Sequence, residues 1–468
     1  MKLLRLLAAL AGCVCLLAAC AVARPPSSPA TAAPPHWYAP LPHGGSVADL
    51  RHWWQQFDDP LLVDLVDAAQ AVSPDVATAG RRIAEARSAR VAARAGLLPS
   101  VDANVSAVRG NAQTGIPLST IVQGTLQASW EVDLFGGQLS RLDAATARLA
   151  GAEAGWHEAR VAIAAETATS YLDLRTCQLA LEVTRNDATS RAETARLTEL
   201  SAKAGFTAPA VAAQARASAA EGAVRVTQQQ AQCDLTVKAL VALTAIPEPT
   251  LRARLGGRWS EPAGFSPVAV PVLPATLLAQ RPDVYEAERE VAAASAEVGA
   301  ARADRYPRLS LTGQVNDGWI RVNGQNTNFQ TWSIGPVTLS LPVFDAGRLA
   351  AAEDAAAARY EESVNLYAAR VRQAVREVEE ALVNLDSAIS RSADTRTAME
   401  GYRASFLGAE ARYRSGLGSL IDMEDQRRLA LGAELSLVNV QRDRIAAWIA
   451  LYRALGGGWE RPETLASP

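Results

Sequence analysis

No stretch of the 468-residue chain beyond its first twenty residues approaches the ~20 consecutive apolar residues of a membrane helix. If the protein crosses a bilayer, it must do so with strands. Histidine is scarce: His36, His43, His52 and His157 are the only four, and none has metal-ligand spacing. Gly-x-Ser-x-Gly, a phosphate loop and Cys-x-x-Cys are all missing, and "LGGR" from Leu255 and "LGGGW" from Leu455 read as turns. These absences point away from an enzyme and from any resident metal or cofactor. Apart from the initiator only Met399 and Met423 remain, too few for a soft-ligand copper track. No basic block is present, so nucleic acid is not an expected partner.

What is present begins with "MKLLRLLAALAGCVCLLAAC". Lys2 and Arg5 precede an apolar core that ends Leu17-Ala18-Ala19-Cys20, the pattern of a secretory signal rather than a spanning helix. Small residues running directly into cysteine resemble a bacterial lipobox. Residues 1–19 are thus expected to be removed and Cys20 to carry a covalent lipid. Ala21 follows, rather than the Asp of inner-membrane retention, so sorting to the outer membrane is expected. Losing Lys2 and Arg5 reduces 46 basic side chains to 44 against 49 acidic ones, a mildly acidic mature protein. Cys13 and Cys15 leave with the signal, so Cys177 and Cys233 are the only other cysteines, as suits an oxidising compartment.

The chain repeats itself at an offset near 209 residues. "LLPSVDANVSAV" (from Leu97) corresponds to "RYPRLSLTGQV" (from Arg305), and "SWEVDLFGG" to "LSLPVFDAG". "LSAKAGFTAPAV" (from Leu200) corresponds to "ARYRSGLGSLID" (from Ala411), with Gly205 over Gly416. Each copy reads as helix, strand, strand, long helix, turn, long helix. Ser73-Pro74-Asp75 and Arg281-Pro282-Asp283 start the first helices, with Pro at the first helical position.

Strands are expected at about 99–109, 123–134, 307–318 and 329–341. Leu126, Ala128, Trp130 and Val132 alternate with Gln127, Ser129 and Glu131, giving one apolar and one polar face. In the fourth strand the alternation slips at Gly335-Pro336, which predicts a bulge or bend. Trp130, Trp319, Phe329 and Trp332 lie where interfacial aromatics belong. Arg141–Lys203 and Arg348 to about Arg414 contain no Pro. Some 60 residues at ~1.5 Å each make helices on the order of 90 Å. Such Ala-rich helices cannot bury their stripes alone, and four strands cannot close a barrel in lipid, so several copies must assemble.

Seven stretches in order resemble an outer-membrane efflux channel of the TolC/OprM type, in the lipoprotein branch often labelled NodT. They are "HWWQQFDDPLLVDLVDAA", "WEVDLFGG", "YLDLRTCQ", "LLAQRPDVYEAERE", "YPRLSL", "LPVFDAGR" and "YRSGLGSLIDMEDQRR". The resemblance implies a mostly α-helical chain whose four strands form one third of a twelve-stranded trimeric β-barrel in the outer membrane. It further implies a long periplasmic α-helical barrel and a mixed equatorial belt. The expected organisation is signal peptide 1–19, acylated arm 20–60, first repeat 61–247, equatorial linker 248–280, second repeat 281–456 and tail 457–468. The expected helical tips lie near 205–209 and 416–420. A homotrimer would work with a periplasmic adaptor and an inner-membrane pump of the RND class, touching outer-membrane lipid and exporting small molecules.

The second tip carries the chemistry. Asp422 and Asp425 lie three apart on one helical face, and from spacing alone they are either a solvated acidic helix start or stacked carboxylate rings. The resemblance favours the rings, since these positions match the constricting aspartates of TolC-like channels and Ile421 matches an apolar constriction of the OprM-like branch. Tyr413 matches a tyrosine of the closing network, with Glu424 beside it, but Gly418 replaces that network's arginine. The first tip has no acid, so Lys203 and Phe206 are expected to face a neighbour or the adaptor. Cys177 and Cys233 each lie 28 residues from Gly205, level on two antiparallel helices, and are expected to form a disulfide. Two other readings stand beside the efflux duct: an exit duct for type I protein secretion, and a trimeric structural lipoprotein without a pore.

Overall fold

The structure, a computed structural model, describes residues 22–29, 33–34, 38–39, 54, 59–111, 117–256 and 280–461. In chain order it contains α1 (Pro60–Val72), α2 (Pro74–Ala95), β1 (Ser100–Gly110), β2 (Ser119–Val132), α3 (Gly137–Lys203), α4 (Pro209–Thr244) and α5 (Glu248–Leu255). There follow α6 (Pro282–Ala303), β3 (Arg308–Val322), β4 (Gln325–Ser340), α7 (Arg348–Arg414) and α8 (Leu420–Ala454). The internal repeat is visible in the lengths. α2 and α6 have 22 residues each, α3 and α7 67 each, and α4 and α8 36 and 35. No described helix is long and apolar enough to cross a membrane.

The chain divides into two units. The first comprises 1–31, 80–155 and 285–370 and holds the sheet. Its strands pair antiparallel in the order β1-β2-β3-β4, so β1 and β4 each pair on one side only. β3 and β4 are joined by Asn323-Gly324, both at positive φ, the turn that matches strand twist in two-residue hairpins.

The register gathers most of the large apolar residues on one face, with Val108, Ile121, Ile320, Val322 and Phe329 on the other towards the hairpin end. Val101, Ala128, Gly313 and Ile334 form one row, and Ala103, Leu126, Val315 and Trp332 the next. The middle of the opposite face is amide and hydroxyl. Thr125 Oγ1 donates to Asn316 Oδ1 at 2.7 Å, and Asn316 Nδ2 donates to Thr331 Oγ1 at 3.1 Å. The apolar face is bare: Trp332 is 74% and Ile334 81% exposed. An antiparallel sheet that stops at four strands with such a face has no internal core to cover it.

The slip expected at Gly335-Pro336 is a register shift opposite Leu311/Gly313, with a cis peptide at Gly335–Pro336. It returns Val337 and Leu339 to the face of Trp332. Phe329 is a correction to the aromatic set. It pairs with Gly318 on the polar face, away from Trp130, Trp319 and Trp332, as the odd parity of 329 against 332 already required. The strands also reach further at the hairpin end than expected. β2 begins at Ser119, and the β3–β4 hairpin leaves only two residues unpaired.

Strand passes to helix by the same device in both repeats. Asp133 Oδ2 accepts from the Leu139 N–H at 2.7 Å, and Asp345 Oδ2 from the Leu349 N–H at 2.9 Å. Each carboxylate satisfies an orphan donor of the helix start. Gly136 and Gly347 supply the positive φ between cap and helix, 74° and 89°. Backbone donors to Asp345 hold its carboxyl below the usual carboxylate range, the Leu349 N–H foremost.

The second unit, 32–79, 156–284 and 371–468, holds the larger core. Leu62 and Leu65 of α1, Leu174 of α3, Leu240 of α4, Leu251 of α5, and Leu382 and Leu385 of α7 are fully buried in it. Within the expected linker 248–280, residues 248–255 are helical. Pro249 near the first position, Glu248 in the first turn and Arg252 and Arg254 in the last were the available signals. Residues 257–279 lie outside the described set. α1 was likewise not anticipated, although Asp59-Pro60 announces it: Asp59 Oδ1 accepts from the Leu61 N–H at 3.1 Å.

Candidate functional site

Two of the stretches that carry the family resemblance are clamps of the second unit rather than chemistry. Asp59, having capped α1, accepts the Tyr171 hydroxyl at 2.5 Å through its other oxygen. Arg175 Nε donates to the same hydroxyl at 2.8 Å, and its Nη1 to the Leu255 carbonyl at 3.1 Å. Burial, and then donation to Asp59, push the Tyr171 hydroxyl above its ordinary range.

"RPDV" is a second clamp. Arg281 holds Asp283 through two bonds (3.0 and 2.8 Å), Glu377 at 2.8 Å and the Ala454 carbonyl at 2.7 Å. One guanidinium thereby ends α8 and ties it to α6 and α7. Burial works against the Arg281 charge, but the bond to Asp283 and the charges of Asp283 and Glu377 outweigh it and raise its pKa. Glu158 shares this neighbourhood. Burial first, and Asp283 second, push its carboxyl up to about 7.

The two tips are built alike. After α3, the Gly205 N–H bonds the Ala202 carbonyl and the Phe206 N–H bonds the Ser201 carbonyl; after α7, Gly416 bonds Tyr413 and Leu417 bonds Arg412. This is the Schellman ending, and it requires the positive φ that Gly205 (82°) and Gly416 (75°) adopt. α8 then starts on Ser419, whose Oγ accepts from the Asp422 N–H at 3.0 Å.

The first turns of α8 separate the three acids of "GLGSLIDMEDQRR". Asp422 and Asp425 both point to solvent, and Ile421 is 59% exposed between the tip and them. Asp425 has only a long contact to Arg428 (3.4 Å), itself an exposed side chain. Glu424 faces the opposite way. It accepts from Arg191 Nη1 at 2.7 Å and Ser218 Oγ at 2.9 Å, and it pairs closely with Arg427. Arg427, 2% exposed, continues to Ser190 (3.1 Å) and Thr194 (3.0 Å) and lies over the Phe406 ring. Arg191 also binds Asp187 at 2.8 Å. Burial, with Arg191 close by, lowers the Arg427 pKa.

Tyr413 and Thr198 hydroxyls share a hydrogen bond of 2.7 Å. Together, Tyr413 and Glu424 fasten the second hairpin to the first. The polar quartet of buried Asp187, Arg191 and Arg427 with half-buried Ser218 was missed by sequence reasoning. Its one signal is the run of polar residues at helical spacing, Asp187-Ser190-Arg191-Thr194-Thr198, on the Ala-rich α3.

At the first tip Phe206 is 86% exposed, and Lys203 pairs with Glu199 at 3.1 Å. Cys177 and Cys233 are joined, with Cα atoms 5.5 Å apart. Here α3 and α4 lie so close that a Cβ on Gly222 would meet the Ala188 Cα at 3.2 Å. Cys20 lies outside the described residues. Among the described residues no cluster of His, Cys, Asp and Glu could hold a metal ion.

Comparison with known proteins gives one answer. The family model "Outer membrane efflux protein" matches residues 65–245 and 273–457, the two repeats. The solvent efflux pump outer membrane protein SrpC of Pseudomonas putida is 31% identical over 417 residues, covering 86% of each chain. The pyoverdine export outer membrane protein OpmQ of Pseudomonas putida is 30% identical over 464 residues, covering 95% of this chain and 96% of its own. The solved outer-membrane channel OprN superposes with a TM-score of 0.79 at 29% identity, covering 94% of this chain and 98% of its own. With its bare apolar sheet, its doubled helical hairpins and these likenesses, the chain belongs to the outer membrane efflux protein family: it is an efflux-pump channel component that crosses the outer membrane on strands and extends into the periplasm.

Proposed function

We propose that the protein is a homotrimeric exit duct without chemistry of its own, conducting small organic molecules out of the cell. The single observation that carries this is the sheet: its unpaired β1 and β4 edges and its bare apolar face demand lipid outside and further strands on both sides. Three copies would supply a closed barrel of twelve strands. Solvent efflux and pyoverdine export by SrpC and OpmQ support small organic cargo. A periplasmic adaptor and an inner-membrane pump of the RND class are its partners in this reading, and a lipid on Cys20 adds an anchor.

In the same reading Asp422 and Asp425 form the constriction, with Ile421 beside them. Their exposure supports it, since among the described residues only Arg428 pairs with either of them. Rings of three carboxylates favour cations. The test is single-channel conductance of the purified protein in a planar bilayer beside an Asp422→Ala, Asp425→Ala variant. A small cation-preferring conductance that grows and loses its preference in the variant supports both pore and gate. A pore indifferent to the change moves the constriction elsewhere, and absence of conductance from folded trimer overturns the duct.

A further inference from the structure

The bare face of the sheet changes character towards the hairpin end. From the row of Leu309, nearest the helices, to the row of Trp332 it holds only apolar side chains and one glycine. Charge enters beyond them, as Asp317, Arg321 and Arg109, and no other charged residue stands on that face. The two arginines share one row. Arg109 on β1 and Arg321 on β3 both pair with Thr120 of β2, and Asn326 follows Arg321 on β4. With strands ~4.8 Å apart, their Cα atoms are about 10 Å from each other, so two long side chains can converge over Thr120. Both are exposed, and neither has an ion pair or hydrogen bond among the described residues. Asp317 stands four residues before Arg321, about 14 Å along the strand, too far to neutralise it.

The height of this row matters. An apolar band ~25 Å tall, crossed by strands tilted ~40°, takes up about 33 Å of strand, or about ten residues. Counted from Leu309 along β3, Trp319 is ten residues on and Arg321 twelve. Trp319 therefore falls at the edge of the band, where an amphipathic ring belongs, and the arginine row falls in the headgroup layer just outside it. The helices extend into the periplasm, so the hairpin end faces the exterior and this layer is that of the outer leaflet.

We propose that Arg109 and Arg321, with Thr120 between them, bind a phosphate of an outer-leaflet glycolipid. Each guanidinium presents a planar fork that matches phosphate oxygens, and two forks on one phosphate add geometry to charge. The Thr120 hydroxyl and the Asn326 amide are placed to donate to the same group, and Trp319 lies beneath it on the acyl side. Uncompensated cations on a lipid-facing surface fit an anionic headgroup and no apolar cargo. The site rests on the sheet crossing the outer membrane and needs no conduction through it.

The probe is diphosphoryl lipid A, titrated against the full-length protein in detergent micelles and read by native mass spectrometry. One molecule per chain is expected. Arg109→Gln with Arg321→Gln should weaken it about tenfold or more, while the heat-modifiable oligomer on unheated gels stays unchanged. Arg109→Lys with Arg321→Lys should lie between, since charge is kept and the fork is lost. Arg428→Gln, far from the sheet, should bind as the wild type does. A phosphate-free diglucosamine with the same acyl chains should bind weakly and ignore every arginine change. Lipid A binding that survives the double Gln variant would overturn the proposal, as would equal binding of the phosphate-free analogue. Inorganic phosphate bound as tightly as the lipid would make the pair a free-anion site and overturn it too. Wild-type protein that inserts into vesicles but holds no lipid A fails on this site alone, whereas failure to insert would fall on the membrane crossing itself.

Discussion

Glu424 accepts from Arg191 at 2.7 Å across 233 residues of sequence, so a single carboxylate on α8 fastens the second helical hairpin to the first. Both side chains are largely removed from solvent, 15% and 6% exposed. Removing one partner of a buried pair leaves the other charge uncompensated. Arg191→Met should therefore cost about 3 kcal/mol of stability, since Asp187 loses its close cation and Glu424 keeps only Arg427. Urea unfolding followed by Trp fluorescence reads this. A loss within that of an exposed control such as Arg428→Met would mean that water already screens the pair.

The Cys177–Cys233 bridge closes a sequence separation of 56 residues. On the chain-entropy account a loop of that size stabilises by about 4 kcal/mol. The Cys177→Ala, Cys233→Ala variant should unfold at lower urea by a corresponding amount, and dithiothreitol should lower the wild type alone. Free-thiol titration of the denatured, unreduced protein provides the chemical check. Two reactive thiols there would remove the clamp from the account.

Glu158 supplies a pH dependence. Burial and the nearby Asp283 raise its folded carboxyl to about 7 from the 4.5 of the unfolded chain. The fold thus holds a proton that the unfolded chain releases. This contribution is complete below pH 4.5 and is lost as pH rises towards 7. Glu158→Gln should raise the melting midpoint at pH 8 and leave it nearly unchanged at pH 4. An equal shift at both values would trace the effect to packing instead of charge.

Gly318 sits where β3 passes over β2. A Cβ there would lie 2.3 Å from the Val122 carbonyl oxygen and 2.8 Å from the Gln123 Cα. Backbone cannot yield as a flexible side chain can, so Gly318→Ala should break the β2–β3 ladder. The heat-modifiable oligomer on unheated gels should fall well below wild type, while Gly110→Ala, in open space, should leave it unchanged.

Much of this architecture could be read before any coordinates. Period-two alternation from Leu126 to Val132 marked the strand and its faces, and the absence of Pro from 348 to 414 set the extent of α7. Gly205 and Gly416 marked the tips because the Schellman ending needs a residue that tolerates positive φ. These are local properties of the chain, dictated by backbone sterics and hydrophobic periodicity.

The inward turn of Glu424, away from Asp422 and Asp425, was not legible in that way. Three acids within four residues look alike until α3 supplies Arg191 and α4 supplies Ser218. The same holds for Asp59, Tyr171 and Arg175, and for Arg281 with Ala454, partners separated by as much as 173 residues. Local sequence chose the elements, their lengths and their faces, because each follows from interactions within a few residues. Which polar groups are buried and paired follows from the packing of distant helices, because desolvation and hydrogen bonding depend on neighbours the chain reaches only once folded.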